Sequence, residues 1–280
     1  MPHRAILLRT VKIALAVAIC ACLVPLASRA EDPSQQDLRK VARNPFADVI
    51  KIPLVPDIYF DIGPYHRTGF DFQVQPLIPI QISKKWLLVP RIVATAVTYV
   101  PSSTPEGGGR LGLGDTVATF FFTRAHVGGL IWGVGPALLI PTATNTVLGS
   151  GRWGLGPSLA VLSMPEWGSA GILFQSIWSL PGTHKRGPVN QMQLQPMFSY
   201  NLAHGWYLTT SPTISADWTQ VLGERWLVPV GGGAGRTFKL GRQPVDVNVT
   251  VYRNVIRPSS LLSPKWQLSA QITLLIANHR

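Results

Sequence analysis

Polar and apolar side chains alternate residue by residue through segment after segment of this chain. In residues 206–218 one side reads Trp206, Leu208, Thr210, Pro212, Ile214, Ala216 and Trp218. The other reads Tyr207, Thr209, Ser211, Thr213, Ser215 and Asp217. Val247, Val249 and Val251 oppose Asp246, Asn248 and Thr250. Trp266, Leu268, Ala270, Ile272, Leu274 and Ile276 oppose Gln267, Ser269, Gln271 and Thr273. Residues 70–82 and 191–201 behave alike. A period of two puts successive side chains on opposite faces of a strand. The segments run about 10 residues, the length a tilted strand needs to cross a bilayer. The chain is therefore all-β, and alternation alone leaves a soluble sandwich and a membrane barrel both open.

The connections separate the two. The pattern predicts twelve strands, near 52–62, 69–82, 86–99, 113–124, 130–142, 153–164, 169–179, 190–201, 206–218, 225–239, 245–256 and 265–276. Short turns at 83–85, 125–129, 165–168, 202–205 and 241–244 follow the even strands. Longer loops at 101–112, 143–152, 180–189, 219–224 and 257–264 follow odd ones. A sandwich has no reason to sort its loops by parity. A membrane barrel does, with tight periplasmic turns and longer external loops. Tryptophan placement agrees. Trp86, Trp132, Trp153, Trp206, Trp226 and Trp266 open predicted strands, Trp178 and Trp218 close them, and Trp167 sits in a turn. An indole at a strand end reaches hydrocarbon with its ring and water with its N–H. The longest greasy piece after residue 30, 129–141, is broken by Gly133, Gly135 and Pro136. Spanning helices are thereby disfavoured, and a transmembrane antiparallel β-barrel of about 12 strands is expected, porin-like and in the bacterial outer membrane.

Residues 1–30 have the form of a secretory signal peptide. Arg4, Arg9 and Lys12 precede the apolar run from Ile13 to Leu26, and small residues follow at Ala27, Ser28 and Ala30. Cleavage is expected after Ala30. Cys20 and Cys22, the two cysteines of the chain, both lie there, so the processed protein is expected to carry neither a disulfide nor a cysteine metal site. Four of the 25 basic residues also lie there, which leaves a net charge of +8 against 13 acidic residues. The excess is not gathered into a patch, and export argues against a nucleic-acid partner. Outer-membrane lipid and lipopolysaccharide are the expected counter-charge. Residues 31–51 form a periplasmic N-terminal segment, in which Asn44-Pro45 opens a short element, 46–50, that sits at the periplasmic mouth or folds into the lumen. Residues 52–280 form the barrel.

Several motifs resemble a family of bacterial outer-membrane proteins labelled as transporters. They are Asn44-Pro45-Phe46-Ala47-Asp48, Gly112-Leu113-Gly114-Asp115, and Gly129-Leu130-Ile131-Trp132-Gly133-Val134-Gly135-Pro136. So are Leu139-Ile140-Pro141-Thr142-Ala143-Thr144, Leu148-Gly149-Ser150-Gly151-Arg152-Trp153-Gly154, and Asn190-Gln191. Gln195-Pro196, Asn201-Leu202, Gly205-Trp206-Tyr207-Leu208 and Trp226-Leu227-Val228-Pro229-Val230-Gly231-Gly232-Gly233 complete the set. The family is often mislabelled "neuromedin U", and it is similar to barrels named after a phenol-degradation pathway and, more distantly, to fatty-acid channels. The resemblance spans nearly the whole processed chain. It implies an outer-membrane barrel that passes small, apolar molecules, and it carries over no binding residues. One departure is at the C-terminus. The barrel assembly machinery, an expected partner, reads a terminal aromatic residue, whereas this chain ends Ala277-Asn278-His279-Arg280.

The residues expected to line the lumen are Asp71, Gln73, Gln75, Arg91, Gln175, Gln191, Gln193, Gln195, Asp217, Asp246, Asn248, Arg253, Gln267 and Gln271, with Leu77, Pro79, Val93 and Met197 on the same parity. Amides dominate where an open aqueous porin places charges on facing walls. Such a lining suits a narrow path for weakly polar solutes, and it equally suits a hydrogen-bonded plug. Gly231-Gly232-Gly233-Ala234-Gly235-Arg236-Thr237 lies within a strand and has arginine where a phosphate loop has lysine. Its glycines are expected to permit coiling or the close approach of another segment. His66, His126, His184 and His204 fall in loops or turns and His279 in the tail, with no serine and orienting partner beside them. No enzyme activity, metal or cofactor is expected. The reading is a channel for small hydrophobic or aromatic compounds by passive diffusion. The alternatives are a closed structural or lipid-contacting barrel and an outer-membrane lipid hydrolase.

Overall fold

A computed structural model describes residues 33–125, 129–181, 186–259 and 263–277. The leader at 1–30 and His126, His184 and His279 lie outside the described residues. A helix, α1 (Pro33–Arg43), comes first. Fifteen strand segments follow: β1 (Val49–Ile62), β2 (Arg67–Val74), β3 (Ile80–Gln81), β4 (Trp86–Val100), β5 (Arg110–Gly112), β6 (Thr116–Arg124), β7 (Leu130–Ile140), β8 (Gly154–Ser163), β9 (Gly168–Ser179), β10 (Asn190–Asn201), β11 (Trp206–Thr210), β12 (Ile214–Asp217), β13 (Trp226–Leu240), β14 (Gln243–Ile256) and β15 (Trp266–Ala277). Three staves are each made of two segments, β2 with β3, β5 with β6, and β11 with β12. The segments therefore build a 12-stave antiparallel barrel. It closes where β15 pairs β1, Val49 opposite Ala277 and Phe60 opposite Trp266. Closure satisfies every wall strand on both sides and removes the sheet edge, which a bilayer demands because lipid offers no hydrogen-bond partners.

The alternation read in the sequence becomes the two faces of this wall. On β1, Lys51, Pro53, Val55, Asp57 and Tyr59 border the lumen. On β14 the inward set is Asp246, Asn248, Thr250 and Tyr252, and on β15 Gln267, Ser269, Gln271 and Thr273. The opposite parity is apolar and exposed: Phe120, Phe122, Val134, Leu155, Leu159, Ile172, Leu208, Val230 and Val251. An apolar outer belt with a polar interior is inside-out for water and right for lipid. Trp86, Trp153, Trp178, Trp218 and Trp266 stand exposed at the stave ends. Trp86 packs edge-on to Trp132, and Trp218 to Trp226, at opposite rims. Among the described residues no helix is long and apolar enough to cross a membrane. The protein crosses by strands, in the outer membrane of a bacterium.

Three staves depart from the strands expected. That at 113–124 begins at Thr116, with 110–112 of the expected loop paired as β5, and those at 69–82 and 206–218 are broken, with proline the cause in both. Pro76 and Pro79 have no N–H to give, so β2 ends at Val74 and the ladder resumes only at β3. Leu77 bridges the gap, paired to Lys51 on one side and Arg91 on the other. In the second broken stave, Ser211-Pro212-Thr213 separates β11 from β12. The hydrogen bonds lost there are made up by lumen side chains. The Ser211 N–H donates to the Tyr252 hydroxyl (3.0 Å), the Gln195 amide to the Ser211 carbonyl (3.4 Å), and the Thr210 hydroxyl to the Gly231 carbonyl (2.7 Å). β1 begins earlier than the expected residue 52, at Val49, which draws residues 49–51 into the wall.

Candidate functional site: a cavity closed at the end that carries the short turns

The barrel encloses a cavity of about 600 Å³. Ten of the expected lumen residues border it: Gln73, Gln75, Arg91, Gln175, Gln193, Gln195, Asp246, Asn248, Gln267 and Gln271. Leu77, Val93 and Met197 join them. Four do not. Asp71 accepts a hydrogen bond from the Thr98 hydroxyl and faces Asp57 across β1 and β2 at the cavity's margin. Gln191 and Asp217 are cross-strand partners at the external end, and Asp217 takes the Thr219 N–H (3.0 Å) and hydroxyl (2.6 Å) to shape the loop beyond it. Arg253 belongs to the outer face. Because Asp246 to Tyr252 point inward on even numbers, residue 253 falls outside, and its guanidinium lies 5.6 Å over the exposed Trp266 ring.

The end of the barrel that carries the short turns is closed by the segment before β1. Residues 42–46 enter the lumen there, and three side chains hold them. Phe46 is 5% exposed and packs edge-on to Phe121, centroids 5.4 Å apart, in a cluster with Leu77, Leu87, Val89 and Ala160. Its socket is Gly133, where any Cβ would stand 2.5 Å from the Phe46 ring tip. Arg43 donates to the Ser199 hydroxyl (3.0 Å) and to the Asn201 side-chain oxygen (2.5 Å), and lies 3.9 Å over the Tyr207 ring. Tyr207 in turn packs flat against Gly235, so one glycine of the 231–235 run serves a close approach inside the barrel. Lys51, on β1, turns its ammonium back to the carbonyls of Ala42 (2.9 Å) and Asn44 (2.5 Å) at the end of α1. A cation there meets the negative end of the helix dipole.

Asp246 anchors the same corner, accepting from the Tyr207 hydroxyl (2.7 Å) and the Thr237 hydroxyl (2.6 Å). Burial lowers the pKa of the Arg43 guanidinium, and the nearby Tyr207 and Asp246 oppose that shift. A guanidinium starts so far above neutrality that it stays a cation. The corner thus gathers two basic groups, Arg43 and Lys51, around one carboxyl, Asp246. A second polar cluster, Thr119 on β6, Ser158 on β8 and Gln175 on β9, runs along one side of the wall. Both hydroxyls donate to the Gln175 carbonyl oxygen, at 3.1 and 3.2 Å. At the external rim Asp115 receives the Ser150 N–H (2.6 Å) and hydroxyl (2.8 Å) and the Ala143 N–H (3.2 Å), pinning the 143–152 loop over the cavity.

Of the element expected at 46–50, Phe46 enters the lumen, one of its two expected placements, while residues 49 and 50 join β1. Sequence reasoning missed Arg43, Lys51 and Gly133. A signal was present: Leu87, Val89, Phe121 and Ala160 are apolar on the lumen parity at one end, and an apolar patch inside a wet barrel needs a cover. Of the described histidines, His66 bonds to Asp61 in the β1–β2 turn and His204 lies in the β10–β11 turn. Among the described residues no group of three side chains is placed to hold a metal ion.

An outer membrane channel from Pseudomonas putida F1 superposes on 91% of this chain and 100% of its own, with a TM-score of 0.62 at 14% identity. The chain has the fold of an outer-membrane channel. Outer membrane phospholipase A from Escherichia coli (TM-score 0.45, 10% identity, 85% of this chain and 97% of that one) resembles it more loosely. So does the toluene transporter TodX of Pseudomonas putida (0.41, 11%, 89% and 93%). No family model matches the sequence, and neither does any curated protein.

Proposed function

We propose that this protein is an outer-membrane channel through which small hydrophobic or aromatic compounds diffuse passively, without a cofactor. The cavity carries the reading. It is the size of a small organic ligand's site, and its wall alternates amides and hydroxyls with Leu77, Val93, Val117, Phe121, Leu162 and Met197. Such a surface gives an apolar solute scattered contacts that hold it while letting it go. The charged groups that do border it are largely tied to structure, Asp115 to a loop and Arg43, Lys51 and Asp246 to the closing arm. Two places offer an exit. One is the arm itself at the short-turn end, held by side chains alone ahead of β1. The other, through the wall, is the break at Pro212 halfway along its stave, where side-chain hydrogen bonds replace the ladder. On the outer face Arg124 lies over Trp86 (5.9 Å) at one rim, and Arg225 over Trp218 (5.8 Å) at the other. These pairs suit the phosphates of phospholipid and lipopolysaccharide.

Swelling of liposomes containing the processed protein, with aromatic solutes against sugars of equal size, tests the proposal. Faster entry of the aromatic solute is the expected result. The Phe46 and Arg43 contacts favour a second reading, a sealed structural barrel, and failure of every solute to enter establishes that one instead. Hydrolysis of phospholipid, abolished by His66→Ala or His204→Ala, establishes the lipid hydrolase.

A further inference from the structure

Arg91 differs from the other cations of the lumen. Arg43 and Lys51 share their corner with Asp246, whereas among the described residues no carboxylate forms an ion pair with Arg91. It borders the cavity from β4, opposite Thr119 on β6 and beside Leu77. One guanidinium nitrogen donates to Gln75 Oε1 (2.9 Å), and the Gln75 amide nitrogen donates onward to Gln73 Oε1 (2.8 Å). That chain has a direction. Each amide oxygen has accepted one hydrogen bond, and the groups not used in the chain include the guanidinium's other N–H groups and the Gln73 amide nitrogen, all donors. The acids that border the same cavity are engaged elsewhere, Asp246 by two hydroxyls, Asp115 by a loop and Asp57 by the Gln267 amide. A guanidinium enclosed away from bulk water without an anion is expensive. Leu77, Val93, Val117 and Phe121 border the cavity beside it and can bury an apolar body.

We propose that Arg91 is the headgroup-binding residue for an amphipathic carboxylate, a small hydrophobic or aromatic acid. Its carboxylate takes the guanidinium fork, two parallel N–H···O bonds matched in planarity and spacing. Its apolar part lies against Leu77, Val93 and Phe121, and the Gln73 amide supplies a further donor. The proposal rests on the channel reading and narrows its substrate class.

Equilibrium dialysis of the processed protein in lipid nanodiscs, against empty nanodiscs at pH 8, tests it with two labelled probes of equal size, 4-phenylbutanoate and 4-phenylbutan-1-ol. The acid is expected to bind the wild-type protein at least tenfold more tightly than the alcohol, as a charge-assisted pair requires. Arg91→Gln brings the acid-to-alcohol ratio close to one, and Arg91→Lys, which keeps the charge and loses the fork, falls between. The wild-type ratio needs no variant, so a misfolded substitution leaves the test intact. Alcohol binding as tight as acid binding overturns this inference and leaves the channel standing. So does an acid preference that survives in heat-modifiable, folded Arg91→Gln. Binding of neither probe overturns both.

Discussion

Phe46→Ala puts the closing arm to the test. Phe46 is the one large apolar group the arm inserts, 5% exposed, edge-on to Phe121 and seated over Gly133. Removing a buried phenylalanine ring costs about 3 kcal/mol or more, of which the edge-to-face contact accounts for about 1 kcal/mol. Almost all of that loss falls on the docked state, because a released arm leaves the ring in water. Closed and open arms are then redistributed by roughly a hundredfold. Arg43 and Lys51 still hold the segment, so the change appears as more frequent opening and not as permanent loss of the plug. Single-channel recording in planar bilayers reads it as a rise in open probability. Gly133→Leu is the steric counterpart. A leucine side chain fills the socket from the wall and expels the ring, giving the same phenotype with Phe46 intact. Both variants recording like wild type, while a deletion of residues 33–46 conducts, refutes the latch and assigns closure to Arg43 and Lys51 alone.

Other consequences of the geometry are open to measurement. Leu159→Lys places a charge on the lipid face and is expected to lower stability by about 2–4 kcal/mol in urea titrations in lipid. Gln193→Lys, on the lumen wall, is expected to change it by far less, and equal effects count against the assignment of faces. Asp246→Asn takes the carboxyl from two hydroxyl donors and two nearby basic groups and is expected to cost about 1–3 kcal/mol in the same titration. Arg67 donates to the carbonyls of Thr104 (2.7 Å), Pro105 (2.9 Å) and Gly107 (2.8 Å). Arg67→Ala is expected to free that loop and speed tryptic cleavage after Arg110, followed by mass spectrometry.

The barrel was legible because its information is local. A strand buried in lipid on one face and lined with polar groups on the other writes a period of two into its residues, and twelve such stretches with sorted loops leave one architecture. The two broken staves were misread for the same reason. Pro76, Pro79 and Pro212 fit the alternation perfectly well, since parity counts which way a side chain points and says nothing of whether its nitrogen has a hydrogen to give. Arg253 was placed in the lumen on its charge, against its own parity with Val247, Val249 and Val251. The period was the better guide. A guanidinium at a rim reaches past its tryptophan to headgroup phosphate, so charge there does not imply an interior position.

A segment folded into the lumen was legible as one of two placements, but the socket that receives it was not, because its residues are spread over five staves. Gly133 on β7 means nothing alone, and neither does Phe121 on β6 or Val89 on β4. Only the ring closure brings them around one point, and only then does the apolar patch they form demand Phe46 as its cover. The same dependence runs through the function. Ser199, Asn201, Tyr207 and Asp246 come from three separate stretches of sequence, and together they grip a segment that ends three residues before β1 begins. The arm is therefore tethered to the wall it seals. An arm released from its Phe46 and Arg43 contacts stays joined to β1, so the segment cannot diffuse away from the wall it covers.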